Sequence, residues 1–156
     1  MAGKDEALRI VRSELDALKL RIIERHINAG QKASGRTISS LHVEMLQSGG
    51  TLWGRQAFEV LESGRKGGKV PKGFYQIIQQ WVKDKGIQVD KPKTFSYFVA
   101  RKIAREGTQL YRNGGRGDIY SKEIEYTTKV IMEQIFGIFE KDVEHINLNS
   151  NENRGI

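Results

Sequence analysis

The sequence predicts an α+β fold: one domain with a long N-terminal helix, a small antiparallel β-hairpin sheet and several packed helices. Three observations lead there. Leu8, Val11, Leu15, Leu18 and Ile22 recur in steps of three and four, which lays one apolar stripe along a helix over residues 5–28. Leu41, Val43 and Met45 alternate with His42 and Glu44, the period of a half-buried strand, and a returning Thr51-Leu52-Trp53 follows Ser48-Gly49-Gly50. Further one-face helical patterns occupy 74–82, 95–104 and 124–139. A chain of 156 residues suffices for one such core. Residues 1–146 form the expected domain, and the asparagine-rich stretch 147–156, with little to bury, is expected to be a flexible tail.

Each element has a local rationale. Gly30 stops the first helix, whose stripe Ile10, Leu20 and Ile23 widen enough to pack on a sheet or a second helix. Gln31 to Arg36 is a polar connector. The Ser48-Gly49-Gly50 run supplies the positive backbone angles of a tight hairpin, and Leu52, Trp53, Phe58, Val60 and Leu61 are expected to cluster behind it. Residues 55–63 read as a short helix ended by Gly64, with continuation of the strand as the competing reading. Phe74, Ile77, Ile78, Trp81 and Val82 mark the buried face of a helix between Pro71 and Gly86, with Trp81 in the core. Pro92 holds Lys91 extended, Thr94 caps the next helix, and Phe95, Phe98, Val99, Ile103 and Ala104 are its expected buried side. Ser121 reads as the cap of the last helix, with Glu123 and Glu125 favourable in its first turn and Ile124, Ile131, Ile135, Ile138 and Phe139 as its stripe.

Composition removes several kinds of chemistry. Without cysteine there is no disulfide, thiolate metal site or cysteine nucleophile. His26, His42 and His145 fall on separate elements without metal-ligand spacing, and neither GxSxG nor a nucleotide fingerprint occurs. A nuclease would need clustered carboxylates, and Asp84, Asp90 and Glu106 are sparse. No enzymatic role, metal or cofactor is therefore expected. No apolar run approaches the length that crosses a bilayer, and no signal-peptide core follows Met1, so a cytoplasmic product without a membrane partner is expected.

The net charge of +7 is uneven. Residues 64–116 carry thirteen bases against three acids, a local excess of +10 that leaves −3 for the rest. Arg65, Lys66, Lys69 and Lys72 sit in a loop spaced by Gly64, Gly67, Gly68 and Gly73, and Arg101, Arg105 and Arg112 recur at steps of four and seven as a basic ridge. Arg116 follows in an Asn113-Gly114-Gly115-Arg116-Gly117-Asp118 turn, whose Arg-Gly-Asp triplet is most simply chance. The loop does not make a Walker motif, because Ser63 and Val70 stand where a glycine and a Ser or Thr are required. These eight bases are the expected contacts to a neighbouring protein or a polyanion, and a bipolar chain suits either.

The order of parts resembles a known family. A long N-terminal helix, a hairpin, Leu61-Glu62-Ser63-Gly64-Arg65, a basic loop with a proline, a tryptophan-bearing helix and Ala100-Arg101-Lys102-Ile103-Ala104-Arg105-Glu106-Gly107-Thr108 follow one another over residues 5–146. This resembles the tail-completion and neck proteins of tailed bacteriophages. Gly114-Gly115-Arg116 before Asp118-Ile119-Tyr120-Ser121 looks most like versions in phages of gut Bacteroidales, including the crAss-like group. The resemblance implies a virion subunit, assembled in the host cytoplasm, that forms a ring of six or twelve copies between portal and tail. It further implies contacts with portal, other neck ring or tail hub proteins, transient contact with genomic DNA in the channel, and no catalysis. A small basic nucleic-acid-binding module using the same arginines and lysines is the alternative, although no helix-turn-helix, zinc or RNP pattern is present.

Overall fold

The computed structural model describes the backbone of residues 2–152 and the side chains of residues 3–146. It is a single α+β domain, about two thirds helical, with a two-stranded antiparallel sheet. In order come α1 (Ala2–Asn28), α2 (Arg36–Ser39), β1 (His42–Leu46), β2 (Gly49–Trp53), a 3-10 turn (Gln56–Phe58), α3 (Val60–Ser63), α4 (Phe74–Asp84), α5 (Pro92–Glu106), α6 (Gln109–Arg112) and α7 (Ser121–Glu152).

Two apolar clusters hold the fold. In the first, Leu18 and Ile22 of α1 and Leu41 before β1 are buried, with Leu15, Ile23, Leu52, Phe58 and Tyr120 packed against them. The long helix thus uses the stripe expected of it, and it packs on both the hairpin and α7. Leu20, expected to widen that stripe, is 66% exposed. In the second cluster Ile78 and Val82 of α4 meet Ala100 of α5, with Phe74, Val89, Val99 and Ile103 around them.

The hairpin has the expected strands but a different turn. Leu46 pairs with Gly49, so Gln47 and Ser48 make the turn and both glycines belong to β2. Neither has a positive φ. Gly50 is small for another reason: a Cβ there would lie 2.7 Å from the side chains of Leu15 and Met45. Its hydrogen lets β2 lie directly on α1. Trp53, expected in the cluster behind the hairpin, faces solvent and donates from Nε1 to Glu44 Oε2 at 2.6 Å, and Val60 is also exposed.

Helix α5 begins earlier than expected, and its inward face is only partly the expected one: Val99 and Ile103 pack on the core, but the aromatics do not. Pro92 takes the first helical position, where its missing N–H costs nothing, and Thr94 is not the cap. Ser96 and Ala100 are the buried positions, while Phe95 and Phe98 point outward. Small side chains let α4 and α5 come close, so the aromatics are displaced to the rim. On α4, Ile77 and Trp81 likewise lie outside the core that Ile78 and Val82 form. The Ser96 Oγ is fully buried and unpartnered among the described residues. Ser96→Ala removes that desolvated hydroxyl and is expected to raise stability by about 1 kcal/mol in urea denaturation.

Helix α7 lies antiparallel along α1. Arg21 and Arg25 both meet the buried Glu123 carboxylate at 3.0 Å, Arg21 also donates to Thr127 Oγ1 at 2.6 Å, and further along Gln134 donates to Glu14 at 3.2 Å. The helix continues to Glu152, so helical backbone covers residues 147–152 of the expected tail. Residues 153–156 of that expectation lie outside the described residues. Ile124 and Phe139, expected in the α1-facing stripe, are exposed; Glu123, Thr127 and Ile138 are buried instead.

Candidate functional site

The glycine-spaced stretch after α3 is a strap pinned to the C-terminal half of the chain. Backbone bonds run from Arg116 N to Glu62 O (2.8 Å), Thr108 N to Arg65 O (2.9 Å) and Gly68 N to Ala104 O (2.7 Å), and Arg65 N donates to Thr108 Oγ1 at 2.9 Å. Two backbones this close leave no room for a Cβ, and Gly64, Gly67, Gly107 and Gly115 sit along the seam. Gly64 (φ 70°, ψ 178°) and Gly107 (φ 83°, ψ 176°) also occupy a backbone region open essentially to glycine alone. The basic loop is therefore tied down from Glu62 through Gly68.

Glu62 anchors this seam. Its side chain is buried, and its Oε1 accepts from the backbone amides of Ile119 (2.9 Å), Tyr120 (2.6 Å) and Ser121 (2.9 Å) while the Ser121 hydroxyl donates to Oε2. The Ser121 amide opens α7 and has no intrahelical partner, and the Ile119 and Tyr120 amides belong to the turn that leads into it. A carboxylate there also meets the positive end of the helix dipole. Ser121, expected to cap α7 itself, hands that task to a residue 59 positions earlier. Burial raises the Glu62 pKa, but the Ser121 hydroxyl and the three amides outweigh it and hold the carboxyl below its ordinary value.

The eight expected contact residues divide into engaged and open groups. Arg65 is half-buried, donates to Lys69 O at 3.2 Å and stacks over Phe74 at 5.1 Å. Arg116 forms a bidentate pair with Asp118 (2.6 and 2.9 Å), which lowers the Asp118 pKa to about 2 and closes the Arg-Gly-Asp triplet on itself. Arg105 and Arg112 both reach Glu106. Arg101 and Arg105 share a face of α5 as expected, but Arg112 does not continue that ridge, because α5 ends at Glu106 and Arg112 belongs to α6. Lys66, Lys69, Lys72 and Arg101 are exposed and make no ion pair among the described residues. Half of the expected basic surface is thus engaged within the chain.

His26 is buried at the centre of the first cluster, 6.4 Å from the Phe58 ring, with Nδ1 3.3 Å from Gln31 Oε1. Burial lowers its pKa, the Gln31 bond acts in the opposite direction, and the Lys85 charge lowers it further. The folded state therefore binds this proton less readily than the unfolded chain. Stability is expected to fall as pH drops below about 6.5, the ordinary histidine value, and His26→Gln should flatten that part of the pH–stability curve.

The outward surface carries what the sequence reading missed. A groove of about 490 Å³ opens between α4, α5 and α6, lined by Ile78, Trp81, Val99, Ile103 and Leu110 with Lys102 and Arg112 at its edge. Met132, Phe136, Phe139, Val143 and Ile146 make a second apolar stripe on α7, facing away from the core. The signal was present in the spacing of those five residues, but the stripe read from the sequence took only Phe139 of them, together with isoleucines of the other side. No group of three or more potential metal ligands occurs among the described residues, and none of their helices is long and apolar enough to cross a membrane. Comparison of the chain with protein-family models, curated proteins and solved structures finds no match.

Proposed function

We propose that the chain is a structural subunit that assembles with copies of itself, and that the assembly is the one its resemblance implies: a ring in the neck of a tailed-phage virion, between portal and tail. The observation that carries this reading is exposed apolar surface. Among the described residues eight hydrophobic side chains are buried, whereas Leu20, Phe98, Met132, Phe136 and Ile146 are each more than 60% exposed. The three on α7 belong to one stripe along that helix, and a stripe of large exposed apolar side chains marks a protein–protein contact, because leaving it wet forgoes roughly 25 cal/mol for each Å² that could be covered.

The charges support the same reading. A ring is built from two different surfaces of each copy, and a chain with a basic middle third and an acidic remainder supplies two unlike surfaces. Lys66, Lys69, Lys72 and Arg101 are placed to meet DNA in a channel through phosphate attraction without reading sequence. Electron microscopy of the purified full chain, with mass spectrometry of the particles it is encoded for, tests the proposal. A closed ring of six or twelve copies and presence of the chain in the particle are expected. Absence from the particle contradicts the neck assignment, and duplex binding by a lone subunit that survives physiological salt would favour the nucleic-acid module instead.

A further inference from the structure

The C-terminal half of α7 is apolar on two sides. Ile138 is buried, with Ile131 and Ile135 half-buried, while Met132, Phe136, Phe139, Val143 and Ile146 are between 55% and 67% exposed. Those five follow one another in steps of four, three, four and three. That is the repeat of a seam that packs along another helix, and at 1.5 Å per residue it is about 21 Å long.

The charges beside the seam decide what covers it. One flank abuts the side that α1 occupies, where Asp142 comes close to Gly3. The open flank carries Glu133, Glu140 and Glu144, all exposed. Two-fold pairing of the seam with its own symmetry mate would set this acidic edge against itself, which disfavours a symmetric α7–α7 contact. The seam instead needs an apolar receiver with a basic edge. The α4–α5–α6 groove has that character: Ile78, Trp81, Val99, Ile103 and Leu110 line it together with Lys102, which makes no ion pair among the described residues, and Arg112, which shares the single Glu106 carboxylate with Arg105 and so leaves this edge net basic. Trp81 is 40% exposed there, and Phe98, one turn before Lys102 on α5, is 61% exposed. Aromatic side chains in a pocket beside an arginine are the composition of interface hot spots.

We propose that the outer seam of α7 in one copy seats in the α4–α5–α6 groove of the next, with Glu133, Glu140 and Glu144 facing the Lys102–Arg112 edge. The inference rests on the self-assembly reading above and names its contact. Seam and groove are different surfaces, and every copy carries one of each. The contact therefore repeats from copy to copy and makes a ring wherever its rotation closes.

Complementation of two full-length variants tests this. Phe136→Ser with Phe139→Ser removes the seam and leaves the groove; Trp81→Ala with Lys102→Glu removes the groove and leaves the seam. Each variant alone is expected to sediment as a monomer, and an equimolar mixture as a one-to-one dimer that grows no further. Lys102→Glu alone, an exposed change that spares the core, should weaken self-association about tenfold, with a melting curve that matches wild type at dilutions where both are monomeric. A seam or groove variant that keeps the wild-type oligomer, or a mixture that stays monomeric, overturns the contact while leaving self-assembly standing. A wild-type chain that is itself monomeric overturns both.

Discussion

Replacing Glu62 with alanine is expected to lower stability by about 3 kcal/mol, because three backbone amides and a hydroxyl at the start of α7 lose their acceptor together. A single helix cap contributes typically ~1 kcal/mol, and each buried donor left unpaired costs ~1–3 kcal/mol; solvent access at Ser121 keeps the total toward the lower end. In a chain of this length that corresponds to a fall in Tm of roughly 6–12 °C. Glu62→Gln keeps one acceptor oxygen and the side-chain volume but loses the charge, and about half the effect is expected from it.

The same residue has a pH signature. Its folded pKa lies below the ordinary 4.5, so its contribution is fully present above that value and is lost as pH falls through the folded pKa. Denaturant titrations of wild type and Glu62→Ala should converge in acid. A constant difference between them from neutral to acid pH would show that the carboxylate charge is not what holds α7.

Gly107→Ala is the second large effect, with an expected loss of about 4 kcal/mol. A Cβ there would stand 2.7 Å from the Arg65 carbonyl oxygen, which already accepts from Thr108 N at 2.9 Å. The obstruction is backbone on both sides and cannot rotate away. The residue's angles add roughly 1–3 kcal/mol for any side chain, and parting the strap exposes its other bonds to competition from water. Gly137→Ala is the matching control. Gly137 lies inside α7 with open space around it, and alanine there is expected to raise stability by about 0.5–1 kcal/mol through helix propensity. Chemical denaturation of the two variants side by side separates a glycine that seals a seam from one that is merely tolerated.

Elements with one buried face were legible in the sequence. Helix α1 and the two strands follow from periodicity, and so does α4 in part: Ile78 and Val82 of its expected face are buried, while Ile77 and Trp81 of that face lie outside the core. Helices α5 and α7 misled for a shared reason: both carry large apolar residues on an outer side as well. In α5 the small Ser96 and Ala100 lie inside while Phe95 and Phe98 lie outside, an inversion that composition cannot reveal. In α7 the stripe read from the sequence put Phe139 of the outer seam together with isoleucines of the other side and passed over Met132, Phe136, Val143 and Ile146.

The strap was invisible for a different reason. Gly64 and Gly67 read as freedom when seen alone, and Gly107 and Gly115 across the seam lie 40 to 51 residues further along the chain. Only the folded chain shows that the four glycines permit one close approach of two backbones. Glu62 is similar, since nothing local separates a solvated carboxylate from one that caps a distant helix. Basic residues were easily found, but which of them the chain neutralises itself depends on Glu106 and Asp118, whose geometry the turns at Gly107 and Gly117 fix.

Sedimentation velocity of the unmodified chain, from low to high micromolar concentration at physiological salt, bears most directly on the claim that this molecule is a unit of a larger assembly. A discrete species of several times 17.7 kDa, growing at the expense of the lighter boundary as concentration rises, is expected. A single 17.7 kDa boundary across the whole range would contradict it.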